Sequence, residues 1–201
     1  KIKAGIPGDI ERIRRIRELL PEVLIRVDAN QGWSLKEAPG KIAALERLGV
    51  ECIEEPSAGT PRELEELARK ADVPIILDES VRDIDHLRRY IAEAPSISGI
   101  VVKIAKTGGP AAALSLINAA RYAGLQIMLS SMVESSLGIG AALPLAPLCT
   151  WIDLDAPLLL ADNPFTGLSY PDEIPTIRAG GLQLSPELNS FIETLPPFYE
   201  E

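Results

Sequence analysis

The chain of 201 residues is 46% hydrophobic and 24% charged, which supplies a substantial core and excludes a disordered polypeptide. A formal charge of −9 argues against nucleic acid and anionic membrane as partners, because both recruit clustered Lys and Arg. Cys52 and Cys149 show neither metal-ligand spacing nor a disulfide-rich pattern, and no run of about twenty apolar residues could span a bilayer, so a soluble, cytoplasmic protein with two free thiols is expected.

The opening residues Lys1-Ile2-Lys3-Ala4-Gly5 lack an initiating Met and read as the end of a strand and its turn, so further chain is expected upstream. Helical spacing of Ile10, Ile13, Ile16 and Leu20 predicts a helix over Asp9–Leu20, with Arg12, Arg14, Arg15 and Arg17 on a solvated face. Val23–Asp28 is a strand, followed by a turn at Gly32 and a capping box at Ser34 and Glu37 that opens a helix to Leu48. Glu51–Glu54 is the next strand, stopped by Pro56, and Thr60-Pro61-Arg62-Glu63 is a second capping box with Pro at the first helical position. The strand Pro74–Asp78, a helix from about Asp83 to Glu93, and the strand Gly99–Ile104 continue the alternation. A Gly108-Gly109-Pro110 turn, an alanine-rich helix over Ala111–Ala123, the strand Leu125–Ser130, a helix after Ser136 and the strand Thr150–Leu154 complete it. Periodicity is lost from about Pro164, so residues 1–165 are read as one β/α domain and 166–201 as an extended C-terminal tail.

Each strand ends in a side chain capable of chemistry. Lys3, Asp28, Glu54, Asp78, Lys103, Ser130 and Asp153 stand 25, 26, 24, 25, 27 and 23 residues apart, one βα unit per step. Barrels of such units assemble their active sites at the C-terminal ends of the strands. Nearly continuous Ile75-Ile76-Leu77 and Val101-Val102 fit a parallel sheet buried on both faces. Asp28, Glu54 and Asp78, from three consecutive strands, are hard oxygen donors suited to Mg²⁺, and a cation would offset their mutual repulsion. Lys3 precedes this trio and Lys103 follows it, which puts one amine to either side. Lys1 lies two residues from Lys3 and shares its side of the strand, whereas Lys106 is placed in the loop. Arg26 and Cys52 precede candidate ligands by two residues and are expected to line the interior, Arg26 with an acidic partner. His86, the only histidine, falls on a helix surface far from any strand end.

These residues stand in recognisable motifs. Lys-x-Lys, Asp-Ala-Asn, Ile-Glu-Glu-Pro, Leu-Asp-Glu-Ser, Val-Lys-x-x-Lys-x-Gly-Gly and Ser-Ser-Met-x-Glu-Ser-Ser, in this order from Lys1 to about Gly167, closely resemble the catalytic barrel of the enolase superfamily and, more narrowly, its muconate-lactonizing branch. The resemblance implies an α/β, TIM-like (β/α)7β barrel, here strands 2 to 8, lacking the first strand and the N-terminal α+β capping domain. It implies Asp28, Glu54 and Asp78 as Mg²⁺ ligands and Lys3 and Lys103 as an acid/base pair acting through an ene-diolate. Asp153-Leu154-Asp155 resembles the Asp-x-Asp motif of the dipeptide epimerases, which holds a substrate α-ammonium group; Lys1 is assigned to substrate binding beside it. Glu134, Ser130 and Glu79 are placed in support of the metal or a lysine. Asn30 either joins them or stabilises the turn before Gly32. The expected activity is therefore epimerisation of a small dipeptide. An o-succinylbenzoate synthase, N-succinylamino-acid racemase or cycloisomerase of the same branch is the alternative, and a non-catalytic barrel fragment is a second one. Seven strands leave sheet edges, where an additional segment or partner is expected; a homo-oligomer is expected of the full-length protein.

Overall fold

Seven short strands form one parallel sheet in strict sequence order in the computed structural model, which describes residues 1–194. They are β1 (Ile2–Lys3), β2 (Arg26–Asp28), β3 (Cys52–Glu54), β4 (Ile75–Leu77), β5 (Gly99–Lys103), β6 (Gln126–Ser130) and β7 (Trp151–Asp153). Helices α1 (Asp9–Leu19), α2 (Ala38–Arg47), α3 (Pro61–Ala68), α4 (Ile84–Glu93), α5 (Ile104–Thr107), α6 (Pro110–Tyr122) and α7 (Ser136–Ala142) lie in the connections. The sheet curls, because Lys1 at its first edge reaches Asp153 on its last, with 2.9 Å between Nζ and Oδ2. The expected β/α barrel architecture is thus present.

Alternation along each strand explains where the core sits. Ile75, Leu77, Ile100, Val102, Ile127 and Leu129 face outward into the layer shared with the helices, where Ile13, Leu45, Leu64, Leu87, Leu116 and Ile117 are fully or almost fully buried against them. The intervening residues Cys52, Ile76, Val101, Met128 and Trp151 form a second buried cluster inside the curl. Two residues further along each of those strands the same inward column ends in Glu54, Asp78, Lys103, Ser130 or Asp153. One pattern therefore builds the floor of the barrel and aims the side chains above it. Burial also pushes the Cys52 thiol up to about 12, so it is an inert part of that floor.

Register staggers the strand ends. Lys3 pairs with Asp28, and Asp28 with Glu54, at one level, whereas Glu54 pairs with Ile76, and Ile76 with Gly99. Lys103, level with Ser130 and Asp153, therefore stands four residues beyond the Glu54 level. Such shear is what closing a sheet into a barrel requires.

The capping box expected at Thr60 caps α3, whereas the pairing expected at Ser34 forms ahead of α2, whose N-cap Glu37 makes no side-chain capping bond. Thr60 Oγ1 accepts from Glu63 N–H while Glu63 Oε2 accepts from Thr60 N–H at 2.7 Å. Ser34 and Glu37 exchange the equivalent bonds, but α2 itself begins at Ala38, because Pro39 fits only the first turn of a helix. Near the start of the chain, Gly5 and Gly32 cross backbone to backbone: a Cβ at Gly5 would lie 2.3 Å from the Ala29 carbonyl oxygen. Asp9 seals this crossing, its carboxylate accepting from Gly5 N–H, the Trp33 indole and Lys41.

The segment read as an extended tail folds back on itself. Phe165–Thr166 (β8) pairs antiparallel with Gln183–Leu184 (β11), Leu168–Ser169 (β9) with Thr176–Ile177 (β10), and Pro186–Glu193 forms α8. The left-handed backbone at Gly167, Gly180 and Gly181 permits the reversals, which sequence periodicity does not report. The Tyr170 hydroxyl donates to the Leu154 carbonyl at 2.8 Å and ties the segment to β7; residues 195–201 of that expectation lie outside the described residues. Among the described residues no helix is long and apolar enough to cross a membrane.

Candidate active site

The C-terminal ends of the strands surround a cavity of about 870 Å³. Lys1, Lys3, Asn30, Asp78, Glu79, Lys103, Ser130, Asp153 and Asp155 all line it, as do Arg82 and Lys106. Asp28 and Glu54 lie fully buried beneath. Glu134 does not face the cavity; its Oε1 accepts from the Met132 N–H of its own loop.

Ammonium groups are the neighbours of the three buried carboxylates. Lys1 Nζ lies 3.2 Å from Asp28 Oδ2, 2.7 Å from Glu54 Oε2 and 2.9 Å from Asp153 Oδ2. Lys3 Nζ donates to Asp28 Oδ2 at 2.6 Å and to Asn30 Oδ1 at 2.7 Å, and the Asn30 amide donates onward to Glu79 Oε1 at 3.1 Å. Asn30 thus faces the site as well as occupying the turn, with a φ of 45° that Asn tolerates better than most residues. On the far side Lys103 Nζ donates to Asp78 Oδ2 at 2.5 Å. Among the described residues no three His, Cys, Asp or Glu side chains are gathered closely enough to hold a metal ion as they stand. Like charges separate and amines interpose, as electrostatics requires of buried carboxylates.

The electrostatic consequences differ from group to group. Burial pushes the Glu54 carboxyl up to about 8; repulsion from Asp28 and Asp78 adds to this, and the Lys1 ammonium only partly offsets it. Both Glu54 oxygens are buried; Oε2 lies 2.7 Å from the Lys1 ammonium, and Oε1 has no hydrogen-bond partner. Burial also works against the Asp28 and Asp78 anions, but Lys1 and Lys3 hold Asp28, and Lys106 and Lys103 hold Asp78, below the ordinary carboxylate range. Burial disfavours the Lys1 ammonium, yet Glu54, Asp153 and Asp28 together raise its pKa.

Two residues that the sequence reading undervalued are prominent. Lys106, placed there in a loop, lies on the short helix α5 and is nearly buried. Its Nζ donates to Asp78 Oδ1 at 2.6 Å, to the Asp78 carbonyl at 2.7 Å and to the Val101 carbonyl at 2.9 Å. Lys103 ends β5 in extended backbone and Lys106 lies in the short helix that follows, so the two amines meet on opposite oxygens of the same Asp78 carboxylate. Glu55 is fully buried and ties three strand ends together, accepting from Gln31 Nε2 at 2.9 Å, Asp78 N–H at 2.7 Å, Ser80 N–H at 3.2 Å and the Ser80 hydroxyl. Its positive φ of 40° accompanies a side chain directed to these partners rather than to the Glu54 column.

Asp153 and Asp155 open onto the same cavity. Ser130 Oγ donates to Asp153 Oδ2 at 3.1 Å, and Asp155 makes no side-chain capping bond to the 3-10 turn over Ala156–Leu159. At the opposite end of the barrel Arg26 finds its acidic partner in Glu51, 2.7 Å away, and Trp151 Nε1 donates to the same carboxylate at 2.9 Å. His86 is half exposed beside Asp83 on α4.

A curled, in-order parallel sheet with lysines flanking acidic strand ends is the arrangement of an enolase-type barrel, and comparison with known proteins agrees. Residues 1–185 match the family described as enolase C-terminal domain-like, and the chain belongs to it. It is 34% identical over 178 residues to an L-Ala-D/L-amino acid epimerase of Pedosphaera parvula, covering 84% of this chain and 49% of that one. It is 44% identical over 153 residues to an o-succinylbenzoate synthase of Mycobacterium bovis, covering 73% and 44%. A dipeptide epimerase from Cytophaga hutchinsonii, crystallised with Mg and D-Ala-L-Val, superposes with a TM-score of 0.81 at 28% identity, over 94% of this chain and 55% of that one. The chain spans about half the length of the curated relatives it matches.

Proposed function

We propose that this barrel epimerises a dipeptide at the α-carbon of its C-terminal residue by proton transfer between two lysines. The observation that carries the proposal is one cavity lined at once by Lys3, Lys103 and the acidic pair Asp153 and Asp155. Asp153 and Asp155 bind the substrate's α-ammonium through charge-assisted hydrogen bonds and so fix which end of the dipeptide reaches the barrel centre. Lys3 Nζ and Lys103 Nζ approach the α-carbon from opposite sides, one taking its proton and the other returning one to the opposite face, which inverts the centre. Asn30 holds Lys3, and Asp78, itself gripped by Lys106, holds Lys103, so both amines are aimed before substrate arrives.

The donor set fits Mg²⁺. Asp28, Glu54 and Asp78 supply hard oxygens from consecutive strands, and Glu54 Oε1 is a buried, unpartnered acceptor that a cation would satisfy. A bound Mg²⁺ would supply Lewis-acid stabilisation of charge developing on the substrate carboxylate. Lys1, between Asp28, Glu54 and Asp153, balances the charge on which both acidic groups depend.

The test is deuterium incorporation across a dipeptide library with Mg²⁺ present, using the wild type, Lys3→Ala and Lys103→Ala. Each single variant is expected to lose epimerisation, with α-proton exchange surviving in one for one enantiomer only. Epimerisation by both variants refutes the two-lysine scheme. The higher identity to the o-succinylbenzoate synthase favours a second reading within the same family, with Lys3 and Lys103 retained. Synthase activity without α-proton exchange in any dipeptide would establish that reading instead.

A further inference from the structure

The cavity wall beside the acidic pair is apolar, and the fold leaves it uncovered. Met132 and Val133 follow Ser130, whose hydroxyl meets Asp153, by two and three residues, and Leu159 ends the 3-10 turn that starts directly after Asp155. All three line the cavity, yet they are 53%, 71% and 71% exposed and pack against neither buried cluster. The two buried clusters of the described residues therefore make no use of their apolar character. Arg82, a cation of the facing wall, follows β4, three strands from β7, and donates to the Glu79 carbonyl.

We propose that Met132, Val133 and Leu159 form the subsite for the side chain of the dipeptide's first residue and select an uncharged, apolar one. The inference rests on the dipeptide reading. If Asp153 and Asp155 hold the α-ammonium, the carbon bearing it also bears the first side chain, which therefore emerges beside the ends of β6 and β7. A polar side chain there exchanges water for groups that offer it no hydrogen bond, whereas an apolar one removes apolar surface from water on both partners.

The experiment uses the protein expressed from its complete reading frame, with Mg²⁺, and compares kcat/KM for L-Leu-L-Ala, the near-isosteric but polar L-Asn-L-Ala, and Gly-L-Ala. The wild type is expected to prefer Leu over Asn by about tenfold or more, the scale of discrimination a hydrophobic pocket achieves. Val133→Asn and Leu159→Asn should each shrink the Leu-to-Gly and Leu-to-Asn ratios, quantities independent of how much active enzyme each preparation holds. Epimerisation with equal or reversed preference in the wild type overturns the subsite while leaving the dipeptide reading intact. A preference that survives both substitutions assigns selection elsewhere and overturns it too. No turnover or α-proton exchange with any dipeptide overturns the dipeptide reading, and the subsite with it.

Discussion

Replacing Asp9 by Ala is expected to destabilise the protein by about 3–5 kcal/mol. The carboxylate is 2% exposed and accepts from the Trp33 indole at 2.7 Å, Gly5 N–H at 3.0 Å, Ile10 N–H at 2.8 Å and Lys41 Nζ at 2.8 Å. Trp33 is equally buried, so alanine strands its N–H and that of Gly5, each at about 1–3 kcal/mol. Lys41 retains some exposure and can turn to water, so its ion pair contributes the smaller share. For a chain of this length the loss corresponds to a fall in melting temperature of about 6–20 °C. Burial alone would raise the Asp9 pKa, but Lys41, Trp33 and the Ile10 and Gly5 amides outweigh it and hold the group below the ordinary carboxylate range. A depressed folded pKa gives stability that is complete above the unfolded value of about 3.9 and disappears as pH falls through the folded value. Guanidinium unfolding followed by circular dichroism should therefore show a constant gap between wild type and Asp9→Asn near neutrality, closing below about pH 4. An Asp9→Ala loss under about 1 kcal/mol at pH 7, within reach of ordinary surface substitutions, would refute the reasoning.

Gly5→Ala must place a Cβ 2.3 Å from the Ala29 oxygen at a φ of 79°, whereas Gly8→Ala meets open space at 77°. Thermal denaturation should show the larger loss at Gly5, beyond the roughly 1–3 kcal/mol of backbone strain common to both, and equal losses would contradict the close crossing. Lys106→Met frees Asp78 Oδ1 and two carbonyls; Mg²⁺ affinity by calorimetry is expected to fall about tenfold or more, with partial rescue by Lys106→Arg, and unchanged affinity would show the clamp to be irrelevant. On the proposed dipeptide reading, Asp155→Asn should raise KM for dipeptides far more than it lowers kcat, because one charged acceptor for the α-ammonium is lost; an unaltered KM would remove Asp155 from that proposal.

How far the sequence could be read depended on the range of the interaction involved. Strand ends at Asp28, Glu54, Asp78 and Lys103 were legible because period-two alternation and the βα repeat are local, and both are written in runs such as Ile75-Ile76-Leu77. Whether neighbouring carboxylates turn toward one another or toward amines is a non-local matter, decided here by Lys1 reaching across the curl to Asp153. Lys106 reads as a loop residue in the sequence because a four-residue helix has too little periodicity to announce itself. Glu55 was hidden for a related reason: its partners Gln31 and Ser80 come from other units, and nothing in Glu-Glu-Pro names them. The fold of the region after Pro164 depends on glycine reversals and two-residue pairings, below the length at which alternation can be counted.

The inward columns have one more implication. Each reagent crowns a stack whose lower members bear the packing, so foundation and chemistry are separable. Exchanging a single crown, such as Ser130 above Met128, alters what the barrel can do while its masonry stays put, a circumstance in which one scaffold acquires new reactions through few changes.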